Sequence, residues 1–449
     1  MKKLFSIVLA MAVFLCLPPA TVFAASGKVP VPDDRVYITS TKYAIVPGAE
    51  ETVLTTNNTS GTEQRIGYML SVEAGDFVNG DLEIVACYKD HAYDSFGLQT
   101  VTDQAAAYEA DYPDKKVVAG MNADFFNMNT GEPRGAFVMD GVIYNEPNGC
   151  PYFAILNDGT AVIRQDNDLS DVYQAIGGDQ ILVKDGVEQS FTGDYGTLKY
   201  SRAAIGIKPD GSVLTYVTHS ISAPTSCGES YSDLAAMFVA QGCEIALNVD
   251  GGGSATYASV REGTDELTVQ NNPSDGTPRT VSTTLLFVST AASDGTFHHA
   301  SLSPNNAYYT PTKDESVPTQ IQFEAIGVDA SGSSCELPEE GLVWSLAEGY
   351  ESSGTVDADT GLFKAALNYT GSVSMELLYN GECIGTTEVQ IVEPEEIAFS
   401  GTGISLNFED ATDLGLAVKG QGVILNHKVG DFTWDIDCTT GTLGIPEFG

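Results

Sequence analysis

The chain is 449 residues long, more than one ordinary hydrophobic core accommodates, so two or three domains are expected. Apolar residues make up 43% and charged residues 18%, the balance of a globular chain and not of a disordered one. Twenty-one basic against 61 acidic residues give a formal charge of -40; such a field repels nucleic acid and anionic membrane surfaces but admits a small anion held by a few local arginines. Met1 to Ala24 has two lysines, an apolar run and then small residues, the pattern of a bacterial secretory signal cut after Ala24. Pro18 and Pro19 break that run too early for a membrane anchor, and no small residue precedes Cys16 as lipoprotein processing requires. An exported protein, secreted or held at a bacterial cell surface, is the expectation.

Seven cysteines remain after the signal: Cys87, Cys150, Cys227, Cys243, Cys335, Cys383 and Cys438. None forms a C-x-x-C pair, which removes zinc-ribbon and thioredoxin-type motifs. Export permits disulfides, and Cys335 with Cys383 is the expected pair because both fall in one domain.

Residues 31–290 mix strand and helix patterns and read as an α+β domain built on a mixed sheet with helices. Arg65 to Val72 and Leu82 to Cys87 read as strands. Thr102 to Tyr112 reads as a helix leading into a strand over Lys116 to Asn122. A second unit repeats this order. Ser230 and Asp233 have capping-box spacing, Tyr231, Leu234 and Phe238 share one face, and Gly242 suits the position after the helix. A strand over Glu244 to Val249 follows.

Beyond about residue 292 the chain is turn-rich and all β in character. Val343-Trp344-Ser345, Gly354-Thr355-Val356 and Gly361-Leu362-Phe363 have counterparts in Thr433-Trp434-Asp435, Gly441-Thr442-Leu443 and Phe448-Gly449. The spacing of the tryptophans suits tandem immunoglobulin-like sandwiches, one over 296–392 and a second over 393–449. The second copy lacks the portion that follows Phe363 in the first, which reads as a truncation.

Each helix–strand unit ends in a polar cluster, Asn122-Ala123-Asp124-Phe125-Phe126 in the first and Asn248-Val249-Asp250-Gly251-Gly252-Gly253-Ser254-Ala255-Thr256 in the second. Loops at strand ends are where sites are commonly built. The glycine run is no P-loop or dinucleotide fingerprint, because no lysine and no amphipathic helix follow it. A tight turn is the plain alternative. Three further clusters share the polar character: Met128 to Gly135, Ser201 to Ile207, and Asn271 to Arg279.

In order and content these motifs resemble the phosphodiester glycosidase family. The resemblance rests on Asn122 with Phe125-Phe126, Met128-Asn129-x-Gly131-Glu132, Arg202-x-Ala204-Ile205-Gly206, Asn248-x-Asp250-Gly251-Gly252-Gly253-Ser254-Ala255-Thr256, and Pro273-Ser274-Asp275 with Pro278-Arg279-x-Val281-Ser282-Thr283. It spans about residues 65–290. The family usually has Asn-Gly-Gly-Phe-Phe where this chain has Asn122-Ala123-Asp124-Phe125-Phe126, so Asp124 adds a carboxylate or crowds the site.

The resemblance implies an exported hydrolase that cleaves the glycosidic bond of a sugar-1-phosphodiester of the N-acetylglucosamine type. Breaking such a bond calls for carboxylates, and Glu132 and Asp250 are the candidates. The phosphate calls for guanidinium groups, and Arg202 and Arg279 are the candidates. Gly251, Gly252 and Gly253 offer backbone N–H groups to an anion. Asn122, Asn248, Ser254 and Thr256 are expected on sugar hydroxyls, with Asp124 and Asp275 beside the substrate. Taken singly, each has a plainer reading: Asp250 as a turn residue, Arg202 as a surface charge, Glu132 as loop, Asp275 as part of a turn, and Phe125-Phe126 as core. No cofactor is required, though the oxygen-rich residues around Asp124 and Asp250 leave a calcium or magnesium ion open. The five histidines have no zinc-site spacing. A non-catalytic binder of glycan phosphodiesters and a phosphodiesterase cutting the P–O bond are the alternatives. No nucleic-acid partner and no membrane insertion are expected; cell-wall association would run through the C-terminal repeats.

Overall fold

The computed structural model describes residues 29–427 apart from 92–94, 220–225, 263, 400–415 and 422. The signal segment with Cys16, and residues 428–449 with Trp434 and Cys438, lie outside the described residues.

In chain order the first domain comprises β1 (Arg35–Val46), β2 (Ala49–Asn58), β3 (Arg65–Val72), β4 (Leu82–Tyr88), α1 (Val101–Asp111), β5 (Lys116–Asn122), β6 (Phe137–Met139), β7 (Val142–Asn145), β8 (Tyr152–Leu156), β9 (Ala161–Arg164), β10 (Val172–Gly177), β11 (Ile181–Lys184), β12 (Val187–Glu188), α2 (Asp194–Thr197), β13 (Ala203–Ile207), β14 (Val213–Thr218), α3 (Tyr231–Ala240), β15 (Ile245–Asn248), β16 (Tyr257–Ser259), β17 (Thr268–Val269) and β18 (Thr283–Ser289). They form an eight-stranded sheet in the order β1-β2-β3-β14-β13-β15-β11-β12 and two five-stranded sheets, β17-β16-β5-β18-β4 and β7-β6-β10-β8-β9.

Every strand pairing in this domain is antiparallel, which corrects the expected mixed sheet. The helix–strand units exist, but neither builds a parallel pair. β4 and β5, joined through α1, both pair antiparallel with β18, which lies between them. β14 and β15, on either side of α3, both flank β13. The domain therefore contains two split crossovers, each with a strand from elsewhere in the chain inserted.

Burial on both faces explains the continuous apolar runs of these strands. Leu285 and Phe287 of β18, Ala203 and Ile205 of β13, and Leu247 of β15 enter one core between the sheets. The alternating residues point the other way: Leu286 and Val288 pack with Tyr108 of α1, and Ala204 and Ala246 pack with Leu234 and Phe238 of α3. Burying side chains of this size stabilises by about 1.5–3 kcal/mol each. The helix ends follow local chemistry. The Thr100 side chain caps α1, Ser230 and Asp233 form the expected capping box, and Gly242 follows α3 at φ 78°.

From His299 onward the described residues are all β, with Ile321, Phe323, Trp344, Phe363, Met375 and Val389 in a common core. This region meets the first domain through Asn305 Nδ2, which donates to the Lys42 carbonyl at 3.3 Å, and through Ser334 Oγ, which donates to Asp265 at 2.8 Å. His299 Nε2 lies 2.6 Å from Glu262. Cys335 and Cys383 are both unpaired, which corrects the expected disulfide. They sit on strands of different sheets, Ser334–Cys335 and Glu382–Ile391, so a shared domain does not bring their sulfurs together.

Candidate active site

The two split crossovers are joined where β5 and β15 end. Asp250 N–H donates to the Ala123 carbonyl at 2.9 Å, and Asn122 Nδ2 donates to the Asp250 carbonyl at 2.8 Å. Asn122 Oδ1 accepts the Thr256 N–H at 3.0 Å. Asn248 acts in the same way at the end of β15, in the eight-stranded sheet: its Oδ1 accepts the Gln180 N–H at 2.8 Å and its Nδ2 donates to the Tyr231 hydroxyl at 2.9 Å. Both asparagines are buried and both amides are engaged within the protein. They hold the loops in place, where the sequence suggested sugar contacts. Thr256 is likewise buried, its hydroxyl on the Ser254 carbonyl.

Each of the three glycines is required for its own reason. A Cβ on Gly251 would stand 2.7 Å from the Ser201 carbonyl oxygen. Gly252 has open space but a φ of 62°, which side-chain-bearing residues rarely adopt. A Cβ on Gly253 would stand 2.0 Å from an Arg279 Nη and 2.4 Å from Asp275 Oδ2. The run forms a single 3-10 turn, Gly252–Ser254, between β15 and β16. Two of the three amides are already committed: Gly251 N–H donates to Asp250 Oδ1 at 2.8 Å and Gly252 N–H to the Ser201 carbonyl at 2.8 Å. The bare backbone mainly lets an arginine approach. Gly253→Ala is expected to force Arg279 and Asp275 aside at an overpacking cost of about 1–3 kcal/mol. The check is a loss of that size in urea denaturation, with the far-ultraviolet circular dichroism of the native variant unchanged.

Asp250 stands at the centre. Burial raises its pKa, while the Ser254 hydroxyl, the Gly251 N–H and the charges of Arg279 and Arg134 draw it back down. Arg279 pairs with Asp275 at 2.8 Å and reaches Ser254 Oγ at 3.4 Å. Arg202 also feels the charge of Asp250, but burial dominates and lowers its pKa. Its guanidinium lies 4.5 Å from the Tyr231 ring centroid and 5.0 Å from that of Tyr200, and its Nε donates to the Glu229 carbonyl at 3.0 Å. Arg202 is therefore a stacked, positioned cation and not a free surface charge.

The sequence reading missed Arg134, Asp179, Tyr200 and Tyr231. Arg134 pairs with Asp179 at 2.8 Å, lies 4.5 Å from the Phe125 ring centroid and donates to the Gly178 carbonyl at 3.0 Å. It lines an open cleft of about 330 Å³ with Phe125, Phe126, Asn127, Glu132 and Pro133. Phe125 and Phe126 thus wall a cleft, where core packing was the plainer expectation. Glu132 is exposed on that cleft. No contact joins Glu132 to Asp250; Arg134 is the residue common to both groups. Asp124 is buried, its Oδ2 accepting the Gly135 N–H at 2.5 Å. Among the described residues no group of three or more His, Cys, Asp or Glu is disposed to hold a metal ion. No helix among them is long and apolar enough to cross a membrane.

Residues 115–288 match the phosphodiester glycosidase family, within the span over which the motifs resemble it. A curated relative, the SPbeta prophage-derived uncharacterized protein YomE of Bacillus subtilis (strain 168), is 30% identical over 186 residues. That match covers 38% of this chain and 28% of the relative's length. A similar solved structure is the zebrafish N-acetylglucosamine-1-phosphodiester alpha-N-acetylglucosaminidase catalytic domain auto-inhibited by its pro-peptide, at 20% identity and a TM-score of 0.43, covering 56% of this chain and 87% of that one. Another is a hypothetical protein from Synechocystis, at 13% identity and a TM-score of 0.44, covering 56% of this chain and 64% of that one.

Proposed function

We propose that this chain, whose residues 115–288 match the phosphodiester glycosidase family, is an exported bacterial hydrolase that cleaves the glycosidic bond of a sugar-1-phosphodiester, of the N-acetylglucosamine type. The observation that carries the reading is that Arg202 and Arg279 pack on the glycines that directly follow the largely buried Asp250: a Cβ on Gly251 would stand 3.6 Å from Arg202 Cδ, and one on Gly253 2.0 Å from an Arg279 Nη. The charge of Arg134 also acts on Asp250. Guanidinium groups grip phosphate oxygens, and a carboxylate supports the oxocarbenium-like centre that forms as the bond to the anomeric carbon breaks. In this reading Asp250 faces the anomeric carbon. Glu132, on the rim of the cleft, handles the proton of the incoming water. Arg134, Arg202 and Arg279 hold the phosphodiester, while Asp179 and Asp275 keep two of them in place. Water supplies a hydroxyl to the anomeric carbon, and the bridging oxygen leaves with the phosphate monoester. The all-β region after His299 acts as an immunoglobulin-like spacer that mounts the domain at the cell surface.

The purified chain is to be incubated with an N-acetylglucosamine-1-phosphodiester in oxygen-18 water. Free sugar carrying the label is expected. Label in the phosphate would instead mark P–O cleavage, and binding without turnover across a panel of sugar phosphodiesters would mark a binder. Glu132→Gln is expected to lower kcat by about 10²-fold with KM little changed. Unchanged kcat in that variant would remove Glu132 from the reaction.

A further inference from the structure

Asp124 is the residue of the site that its neighbours account for least. Its side chain lies directly after the Asn122-Ala123 segment that clasps the backbone of Asp250, in the position where the resembled family usually carries glycine. The residue is 2% exposed. Oδ2 accepts the Gly135 N–H, but Oδ1 is buried with no partner. The walls around it are bare backbone: a Cβ on Gly177 would stand 2.5 Å from Oδ2, and one on Gly135 would stand 3.4 Å from it. No basic side chain forms an ion pair with it among the described residues. A buried carboxylate without a counter-ion is unfavourable, and the usual resolution is for the group to keep its proton. With Oδ2 occupied by a donor, that proton belongs on Oδ1.

We propose that Asp124 is a positioning residue of the site: a neutral carboxyl that leaves Asp250 as the ionised acid beside the arginines, and whose loss of a proton sets the alkaline limit of activity. The proposal rests on the assigned function only for its activity readout. The charged groups that act on Asp124 are Arg134, from the segment before β6, and Asp250, after β15. Beyond them, Asp179 neutralises part of Arg134 and Arg279 faces Asp250. The end of β10, at Gly177, adds no charge. Burial, the largest influence, together with the charge of Asp250 outweighs the Gly135 and Phe125 N–H groups and Arg134, and the net result is a pKa raised to about 7. Once ionised, Asp124 places a second negative charge beside Asp250, which opposes both the ionisation of Asp250 and the entry of a phosphodiester anion.

The test is Asp124→Asn, which preserves the shape and removes the titration. For the wild type, kcat/KM is expected to fall as pH rises through about 7. For the variant that limb should be absent up to pH 9. A second readout needs no substrate. The folded protein holds the Asp124 proton more tightly than the unfolded chain, so stability declines as pH rises from about 4 to about 7 and is level above. The variant should therefore gain at least about 3 °C more in Tm over wild type at pH 8 than it does at pH 4.5. An alkaline limb retained at the same pH in the variant, or a gain in Tm no larger at pH 8 than at pH 4.5, would overturn the proposal. A folded variant that is inactive even at pH 5.5 would also overturn it, because Asp124 would then be donating its proton in the reaction. If no sugar phosphodiester is turned over by wild type, the assigned function fails while the Tm comparison still decides the state of Asp124.

Discussion

Asp250→Asn is expected to lower kcat on a sugar-1-phosphodiester by about 10³-fold while the chain stays folded. The fold should tolerate the change because the protein holds the backbone of Asp250, through the Ala123 carbonyl and Asn122 Nδ2, and not only its side chain. The Gly251 N–H that now donates to Oδ1 would find the amide oxygen of asparagine at the same place. What disappears is the negative charge. Two effects of opposite sign follow. The carbocation-like centre loses its stabilising carboxylate, so kcat falls. If the arginines hold the phosphodiester as proposed, they lose the charge that offsets them, so inorganic phosphate should inhibit more tightly than it does the wild type. The pair of measurements is diagnostic, since mere misfolding would weaken phosphate binding. Full turnover in Asp250→Asn would remove this aspartate from the chemistry, and turnover that also persisted in Glu132→Gln would remove the whole carboxylate assignment.

Glu229→Ala should cost about 3–5 kcal/mol of stability, the largest effect of any single change considered. Glu229 is fully buried and receives both terminal nitrogens of Arg35, at 2.8 and 2.5 Å. Arg65 Nε lies 3.4 Å away and the Tyr216 hydroxyl 3.2 Å away. Asp233 completes the group at 3.6 Å from each arginine. Arg65 also pairs with Glu63 at 3.1 Å, on the solvent side of the cluster. Removing Glu229 leaves the buried Arg35 facing only the partly exposed Asp233, and Arg65 facing Asp233 and Glu63. Activity should fall with stability, because the main chain of Glu229 pairs with Tyr200 and its carbonyl receives Arg202 Nε. Urea denaturation gives the stability change, and a loss below about 1 kcal/mol would show that the cluster is not what holds β1, β3 and the start of α3 together.

Much of the scaffold follows from local pattern. Strand β5 is the apolar run Val117 to Met121 with Lys116 and Asn122 at its ends, and α1 and α3 start after residues whose side chains cap them. Both signals are carried by neighbours in the chain, and these set the backbone before any distant contact forms. Sheet direction behaved differently. Helix–strand units suggest parallel pairing, but β18 and β13 insert between the would-be parallel partners. Nothing within either unit encodes the arrival of a strand from elsewhere.

The site divides along the same line. Arg202, Asp250 and Arg279 stood out only through the ordered motifs that resemble the phosphodiester glycosidase family, since each alone reads as a turn residue or a surface charge. Tyr231 read as one of three core residues on a helix face, and it is buried; yet the same ring lies under Arg202 and its hydroxyl receives Asn248. Arg134 sat in a motif beside Glu132, but its tie to Asp179 crosses from the segment before β6 to the segment after β10. Asn122 and Asn248 looked like ligands because amides bind sugars well. The same donors and acceptors bind backbone equally well, and burial decides which they meet.

What the chain dictates unaided is therefore its chemistry and its local units: the acids, the guanidinium groups, the glycines that let one of them approach, and the caps and strands that carry them. These depend on covalent identity and on neighbours a few residues apart. Partnership was decided only in three dimensions. Whether an asparagine faces solvent or backbone, whether a tyrosine packs or stacks on a cation, and whether Asp124 keeps its proton all depend on which distant segments close over it. Desolvation and charge pairing act through space, over distances that separation along the chain does not measure.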